Sequence, residues 1–147
     1  MKKLVTLFAA AAVCALALSA LSGAATKATI WTATLTSAQE VPKQVVKKPG
    51  AHGLFTATLT GTTLKWTLTY AGLTGPATAA HIHMGAKGVS GNVLVPLCPT
   101  PACKSSLKGT IKVTSALTRA FSKHLLYVNV HTAKNPAGEI RGQLTIG

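Results

Sequence analysis

The sequence contains almost no acidic residues. Against fifteen lysines and arginines it has two glutamates, Glu40 and Glu139, and no aspartate. A hydrolase that works through two carboxylates would therefore need these two residues to meet. The chain also lacks the G-x-S-x-G and H-E-x-x-H motifs, the usual signs of a serine hydrolase and of a zinc protease. Hydrolytic activity is thus poorly supported.

The shortage of acids makes the chain strongly basic, with a formal net charge of +13. Aromatic residues make up only 5% of the chain and do not alternate with the lysines, as single-strand nucleic-acid binding would require. The lysines are scattered, and only Lys43, Lys47 and Lys48 form a small group. We expect weakly selective binding to anionic extracellular polymers or envelope components and no specific nucleic-acid recognition. A merely solvated basic surface is the alternative.

The first 25 residues have the pattern of a secretory signal. Lys2 and Lys3 precede an apolar run from Leu4 to Leu18, and small residues follow it. We expect residues 1–25 to be removed, with a retained membrane anchor as the alternative, because the run approaches the length of a spanning helix. Removal lowers the charge to 13 − 2 = +11. It leaves one domain, residues 29–147, without a transmembrane segment, either secreted or in the cell envelope.

Cysteine is rare as well. Cys14 lies in the predicted signal, which leaves Cys98 and Cys103 on either side of four residues. In an exported protein such a pair is more naturally a disulfide than a metal site. The loop it would close is short, so its stabilisation should be at the lower end of the ~2–4 kcal/mol typical of disulfides.

Alternation of apolar and polar residues dominates the rest of the chain, and helix signals are few. The predicted strands span residues 29–36, 54–60, 64–70, 77–83, 92–97, 109–114, 125–131 and 139–146. One short helix is predicted from an N-cap at Ser115 through Lys123. The glycine-rich segment 85–91 is predicted to be a flexible turn, because a strand and no helix follows it. Short, regularly spaced strands of this kind predict an all-β, antiparallel β-sandwich.

The histidines are the candidate functional residues. His81 and His83 lie two apart in Ala80-His81-Ile82-His83-Met84-Gly85, so their side chains share one face of a strand. His131 ends a second strand-like run. If the two strands are neighbours, the three imidazoles can meet and hold one copper or zinc ion, since imidazole suits these metals better than magnesium or calcium. Alternatively, the histidines cap strands and hydrogen-bond to loop carbonyls.

The last predicted hairpin separates side chains by face. Its apolar face is expected to hold Val128, Val130, Ile140, Leu144 and Ile146. Its polar face is expected to hold Asn129, His131, Glu139, Arg141 and Gln143. We expect Glu139 to be ionised and paired with Arg141 or His131. Glu139, Arg141 and Asn129 are the residues expected to surround the three histidine ligands and orient them.

Four segments give the chain a family resemblance. They are Ala38-Gln39-Glu40-Val41-Pro42, Ala79-Ala80-His81-Ile82-His83, Leu126-Tyr127-Val128-Asn129-Val130-His131-Thr132 and Asn135-Pro136-Ala137-Gly138-Glu139-Ile140-Arg141-Gly142-Gln143-Leu144. In this order they resemble the CHRD domain, the repeat of chordin that also occurs singly in bacterial secreted proteins. Met84 and the Cys98 to Cys103 loop depart from the family pattern. The resemblance implies an extracellular β-sandwich, immunoglobulin-like or superoxide-dismutase-like, and a non-catalytic binding module.

A weaker resemblance concerns copper/zinc superoxide dismutase. That enzyme also has an H-x-H pair on one strand, a later histidine and a C-terminal arginine, roles that would fall to His81, His83, His131 and Arg141 here. The chain has no counterpart of its bridging histidine or aspartate-containing zinc loop. The resemblance therefore implies a metal site, with redox activity if the ion is copper, and gives little reason to expect dismutase activity.

Overall fold

A computed structural model describes residues 26–98 and 103–147. The predicted signal, residues 1–25, lies outside the described residues. The described part contains nine β-strands, one 3-10 turn at Ser37–Gln39 and one α-helix. It includes no helix with the length and apolar character that crossing a bilayer requires.

The strands follow the predicted alternation closely. They are β1 (Ala28–Thr36), β2 (His52–Thr60), β3 (Thr63–Ala71), β4 (Ala77–Met84), β5 (Val93–Pro96), β6 (Leu107–Lys112), β7 (Leu126–Thr132), β8 (Ile140–Gln143) and β9 (Thr145–Ile146), and the helix is α1 (Ser115–Ser122). β6 begins two residues before the predicted start. The helix is capped by the Thr114 side chain, which accepts a hydrogen bond from the Leu117 amide, so the prediction of Ser115 as the cap was one residue late.

All nine strands belong to one continuous sheet in the order β5-β4-β7-β8-β1-β2-β3-β6, with β9 paired to β1. Every strand pairing in it is antiparallel. The sheet curls around its apolar face, so the two layers expected of a sandwich are the two halves of one sheet. The all-β prediction with a single short helix is confirmed.

The core fills the inside of this curl. On the hairpin of β2 and β3, Phe55 lies opposite Leu68 and Ala57 lies opposite Trp66, and all four side chains are buried. From the other half of the sheet, apolar residues of β4, β7 and β8 join the same cluster. Helix α1 adds Phe121, whose ring centroid lies 4.8 Å from that of Trp31. Burial of this shared apolar surface is the main force that holds the curl closed.

Two predictions about the end of the chain need correction. The predicted strand 139–146 divides in two, because β8 pairs with β7 while β9 pairs with β1. Leu144, between them, is buried, but Ile146 is 57% exposed instead of facing the core. The interruption of the strand breaks the alternation on which the prediction for Ile146 depended.

The predicted disulfide is present. Cys98 and Cys103 are bonded, with their Cα atoms 5.2 Å apart. The bond lies where the two ends of the sheet approach each other, because Cys103 forms an isolated antiparallel bridge with Ala77 at the start of β4. The Tyr70 hydroxyl of β3 donates to the Cys103 carbonyl at 2.8 Å.

Candidate metal centre

Two neighbouring strands bring the three histidines together. β4 and β7 pair with His81 opposite Asn129, His83 opposite Tyr127 and Ala79 opposite His131. His131 is therefore the diagonal neighbour of His81 on the same face. β4 and β7 are neighbours, which is one of the two arrangements, neighbouring or facing, that would let the three rings meet.

The three rings lie close to one another, and one pair of nitrogens has the spacing of two ligands. One nitrogen from each histidine can be chosen so that all three lie within 4.8 Å of one another. His81 Nδ1 lies 3.1 Å from His131 Nε2. Two nitrogens at about 2.0–2.1 Å from one ion are about 2.9–3.4 Å apart at bond angles between 90° and tetrahedral. The pair of His81 and His131 thus already has the spacing of two ligands of one ion.

Loop carbonyls hold two of the rings. The Nδ1 of His83 donates to the Gly91 carbonyl at 2.9 Å, and the Nδ1 of His131 donates to the Pro136 carbonyl at 3.0 Å. Each bond leaves Nε2 as the nitrogen with a lone pair. In His131 this lone pair accepts a hydrogen bond from His81 Nδ1 at 3.1 Å, which His81 must give up for both nitrogens to bind a metal. His83 Nε2 is buried and has no hydrogen-bond partner within the protein. The expected bonds to loop carbonyls therefore exist, but they orient the rings toward one another.

The site favours neutral imidazoles. Burial lowers the pKa of all three histidines, and proximity to one another lowers those of His81 and His131 further. The pKa of His131 falls to about 4, even though its bond to Pro136 opposes the change. At neutral pH the three rings therefore offer lone pairs, which a metal ligand requires.

A stack of side chains supports His83 from the side. The Tyr127 ring lies parallel to the His83 ring, with centroids 4.8 Å apart and planes 11° apart. The guanidinium carbon of Arg141 lies 3.5 Å from the Tyr127 ring centroid. Arg141 also donates through Nη2 to the Ala86 and Val89 carbonyls at 3.0 and 2.9 Å. Arg141 therefore contacts His83 through Tyr127, a residue to which the sequence assigned no role, and its charge also helps to lower the pKa of His83.

Glu139 does not take part in the ion pair predicted for it. Its carboxylate accepts hydrogen bonds from the Thr74 amide at 2.6 Å, the Thr132 hydroxyl at 2.6 Å and the Asn135 side chain at 3.1 Å. Burial raises the pKa of Glu139, but these bonds outweigh burial and lower it, so the expected ionisation stands. The prediction failed because Thr74 and Asn135 lie in loops, where strand alternation says nothing about direction.

Asn129 also turns away from the histidines. Its side-chain amide donates to Glu40 Oε2 at 3.1 Å, and both residues are buried. Burial raises the pKa of Glu40 to about 7, although the charge of Arg141 and the Asn129 bond oppose the change. Glu40 is the second residue to which the sequence assigned no role. The available signals were its rarity, as one of two acids, and its place in the Ala38–Pro42 segment of the family resemblance.

The four motif segments surround this site. Ala38–Pro42 supplies Glu40, the H-x-H segment supplies two histidines, and the two C-terminal segments supply the rest. A model of the CHRD domain family matches residues 31–144. The chain belongs to the CHRD domain family. No curated protein and no solved structure matches this chain significantly.

Membership of the CHRD family makes the chain a binding module in general terms. The matched residues lie within the predicted domain 29–147 and include all three histidines, Tyr127, Glu40 and Arg141. The CHRD fold thus builds the histidine cluster from its own strands and needs no insertion to do so.

Proposed function

We propose that this CHRD domain binds one copper or zinc ion through His81 Nδ1, His83 Nε2 and His131 Nε2. The main support is the state of His83 and His131. Both rings are tied by Nδ1 to a backbone carbonyl, and the buried Nε2 of His83 has no partner. A buried polar atom without a partner is costly, and a metal bond would satisfy it.

The geometry requires an adjustment on binding. Two ligands of one ion at about 2.0–2.1 Å from it are about 3.4 Å apart at a tetrahedral angle. The ligand nitrogens here extend to separations of 4.8 Å, so the widest pair must close by about 1.4 Å. Rotation of His81 can supply this movement, since it is the least buried of the three.

His81 leaves one side of the site open to solvent. His83 and His131 are 8% and 9% exposed, whereas His81 is half-buried. Three protein ligands with an open fourth position are typical of metal sites that bind an exchangeable ligand. A copper ion in this position would add redox chemistry. The protein residues would hold the ion and orient the rings.

Titration with zinc(II) and copper(II) tests the proposal. The wild type is expected to bind one ion per chain, and His83→Ala and His131→Ala are expected to weaken binding by at least about 100-fold, more than the loss of an outer-shell partner usually does. His52→Ala is the matched control, because His52 is exposed and lies outside the cluster. Equal affinity in all four proteins would disprove the site.

We also propose that the domain is exported and binds anionic polymers of the cell envelope or matrix. A disulfide supports export, since such bonds persist in oxidising compartments. All eleven lysines of the described residues are exposed, which supports polymer binding. The mass of protein secreted by its host should correspond to a chain that begins between Gly23 and Thr29. A full-length chain would contradict export.

A further inference from the structure

A small cavity of about 190 Å³ lies beside the metal centre and is separate from it. It opens between the segment that follows β1, the glycine-rich loop and β8. Glu40, Arg141 and Gln143 lie among its lining residues, together with Lys43 and Lys87, which are exposed. None of the three histidines lines it.

Three buried polar atoms of the lining residues have no hydrogen-bond partner within the protein. They are Glu40 Oε1, Arg141 Nη1 and Gln143 Oε1. Glu40 is 0% exposed and Arg141 is 2% exposed, so these atoms lie behind the cavity surface and a ligand contacts them only after a small shift of their side chains. Buried polar groups in proteins are nearly always paired. One donor and two oxygen atoms beside the cavity thus lack the partner that a ligand could supply.

The guanidinium of Arg141 is already fixed in place. Its Nη2 donates to two carbonyls of the glycine-rich loop, and its plane lies over Tyr127. The side-chain nitrogen of Gln143 is likewise used, because it donates to the Gly85 carbonyl at 3.0 Å. Both side chains thus present their remaining atoms without losing further freedom on binding, which favours affinity.

The charge around the cavity selects an anion. Arg141, Lys43 and Lys87 supply three positive charges against the single carboxyl of Glu40. Burial raises the pKa of Glu40 to about 7, so near neutral pH this carboxyl is protonated in a large fraction of molecules and repels an anion less. In the protonated form Oε1 carries the proton, because Oε2 accepts from Asn129, so Oε1 requires an acceptor while Gln143 Oε1 requires a donor. A carboxylate that also carries hydroxyl groups meets these requirements, because a hydroxyl both donates and accepts.

We propose that this cavity binds a uronate residue of an acidic polysaccharide. The uronate carboxylate accepts from Arg141 Nη1 and faces Lys43 and Lys87. One sugar hydroxyl donates to Gln143 Oε1, and another accepts from the protonated Glu40 Oε1. The volume suits one sugar-sized group, since pockets for drug-sized ligands measure about 300–1,000 Å³. This inference rests on the anionic-polymer binding proposed above and gives that binding a specific position.

Calorimetric titration of the full chain with a galacturonate trimer tests the site, with maltotriose as the uncharged control. Lys43→Gln/Lys87→Gln should bind the trimer about fivefold to tenfold more weakly than the wild type. Lys65→Gln/Lys108→Gln removes the same charge from the far side of the sheet, where Lys108 is paired with Thr67 of β3, and should stay within twofold. Amide shifts on binding should centre on Gly88 and Gln143.

Arg141→Lys tests the floor of the cavity. The substitution keeps the positive charge but loses the planar guanidinium group with its two terminal nitrogens. We expect at least tenfold weaker binding of the trimer in a variant whose circular dichroism spectrum is native. If Arg141→Lys does not fold, the comparison of the two double lysine variants still tests the proposal. Equal losses in both lysine pairs, equal binding of maltotriose, or displacement of the trimer by millimolar sulfate would overturn the inference. If the uronate site is disproved in this way, the retention of the protein on DNA is still expected, because DNA carries no carboxylate.

Discussion

The outward faces of the two halves of the sheet differ in their exposure to solvent. On β3, Lys65, Thr67 and Thr69 point outward and are exposed, while the residues between them are buried. On β7, all seven residues are buried, including the outward-facing Tyr127 and His131. β3 has one solvated face, as strands of antiparallel sheets usually do, and β7 has none.

Loops cause the difference. The glycine-rich loop accepts hydrogen bonds from Arg141, and the segment after β1 places Glu40 against Asn129. Gln44 farther along that segment donates to the Glu139 carbonyl. Polar side chains under these loops lose water and must find partners within the protein. The candidate metal centre therefore lies beside the strand of the sheet from which water is most fully excluded.

The largest expected difference between the halves concerns two cationic residues on strands. Arg141→Ala should lower the free energy of unfolding by about 3–5 kcal/mol, because it removes two hydrogen bonds to carbonyls and the contact with Tyr127. Lys65→Ala, on the solvated face, should change it by no more than about 0.5 kcal/mol. Urea unfolding measures both. Similar values would mean that the loops do not exclude water from Arg141.

A second expected difference depends on pH and concerns Glu40. Its pKa is raised from 4.5 to about 7 in the folded state, so the folded state holds the proton more tightly than the unfolded state. Stability from this group is present below pH 4.5 and is lost as pH rises to about 7. Glu40→Gln cannot ionise and should gain at most about 3 kcal/mol relative to the wild type between pH 4.5 and pH 8.

Comparison of the wild type with Glu40→Gln removes the contribution of His131 to the pH dependence of stability, which opposes that of Glu40. His131 has a lowered pKa, so its neutral form is favoured in the folded state and stability rises with pH between about 4 and 6.5. This contribution is common to the wild type and Glu40→Gln and cancels in their difference. A difference that is independent of pH would show that Glu40 is solvated.

Zinc should stabilise the buried half specifically. At a free zinc concentration of 100 times the dissociation constant, the gain in unfolding free energy should be about 2.7 kcal/mol. Thermal unfolding with and without zinc measures it, and His131→Ala should show no shift. His52→Ala should shift as the wild type does, since His52 is exposed. A full shift in His131→Ala would place zinc elsewhere.

The smallest expected effect concerns the exposed lysines. Because they are scattered, Lys43→Gln/Lys87→Gln and Lys65→Gln/Lys108→Gln should lower the salt concentration for elution from double-stranded DNA slightly and equally. Retention of the wild type should itself collapse as salt rises. Retention that persists at high salt, or depends on one pair only, would mean that one face has a shaped polymer-binding surface.

Strand alternation predicted the hairpin of β2 and β3 and placed His81 and His83 on one face. It left open the pairing of β4 with β7 that brings His131 to them. It failed for side chains whose partners lie in loops. Glu139 bonds to Thr74 and Asn135, and Arg141 bonds to backbone carbonyls, which every residue type carries. The type of a residue does not indicate whether its backbone carbonyl accepts a hydrogen bond from a distant side chain. The interruption of the strand at Leu144 could not be predicted from the sequence either, because leucine continues the apolar alternation of a strand.

The carbonyls that orient the histidines have a consequence for how the site can change. At position 136 any amino acid would present the same oxygen to His131, so single substitutions there need not disturb the tautomer. Position 91 is less tolerant, because a Cβ there would lie 1.6 Å from the Met84 carbonyl oxygen. Insertion or deletion in either loop would move its oxygen away from the ring. Divergent evolution of this centre is therefore expected to proceed through loop length more readily than through the residue at position 136.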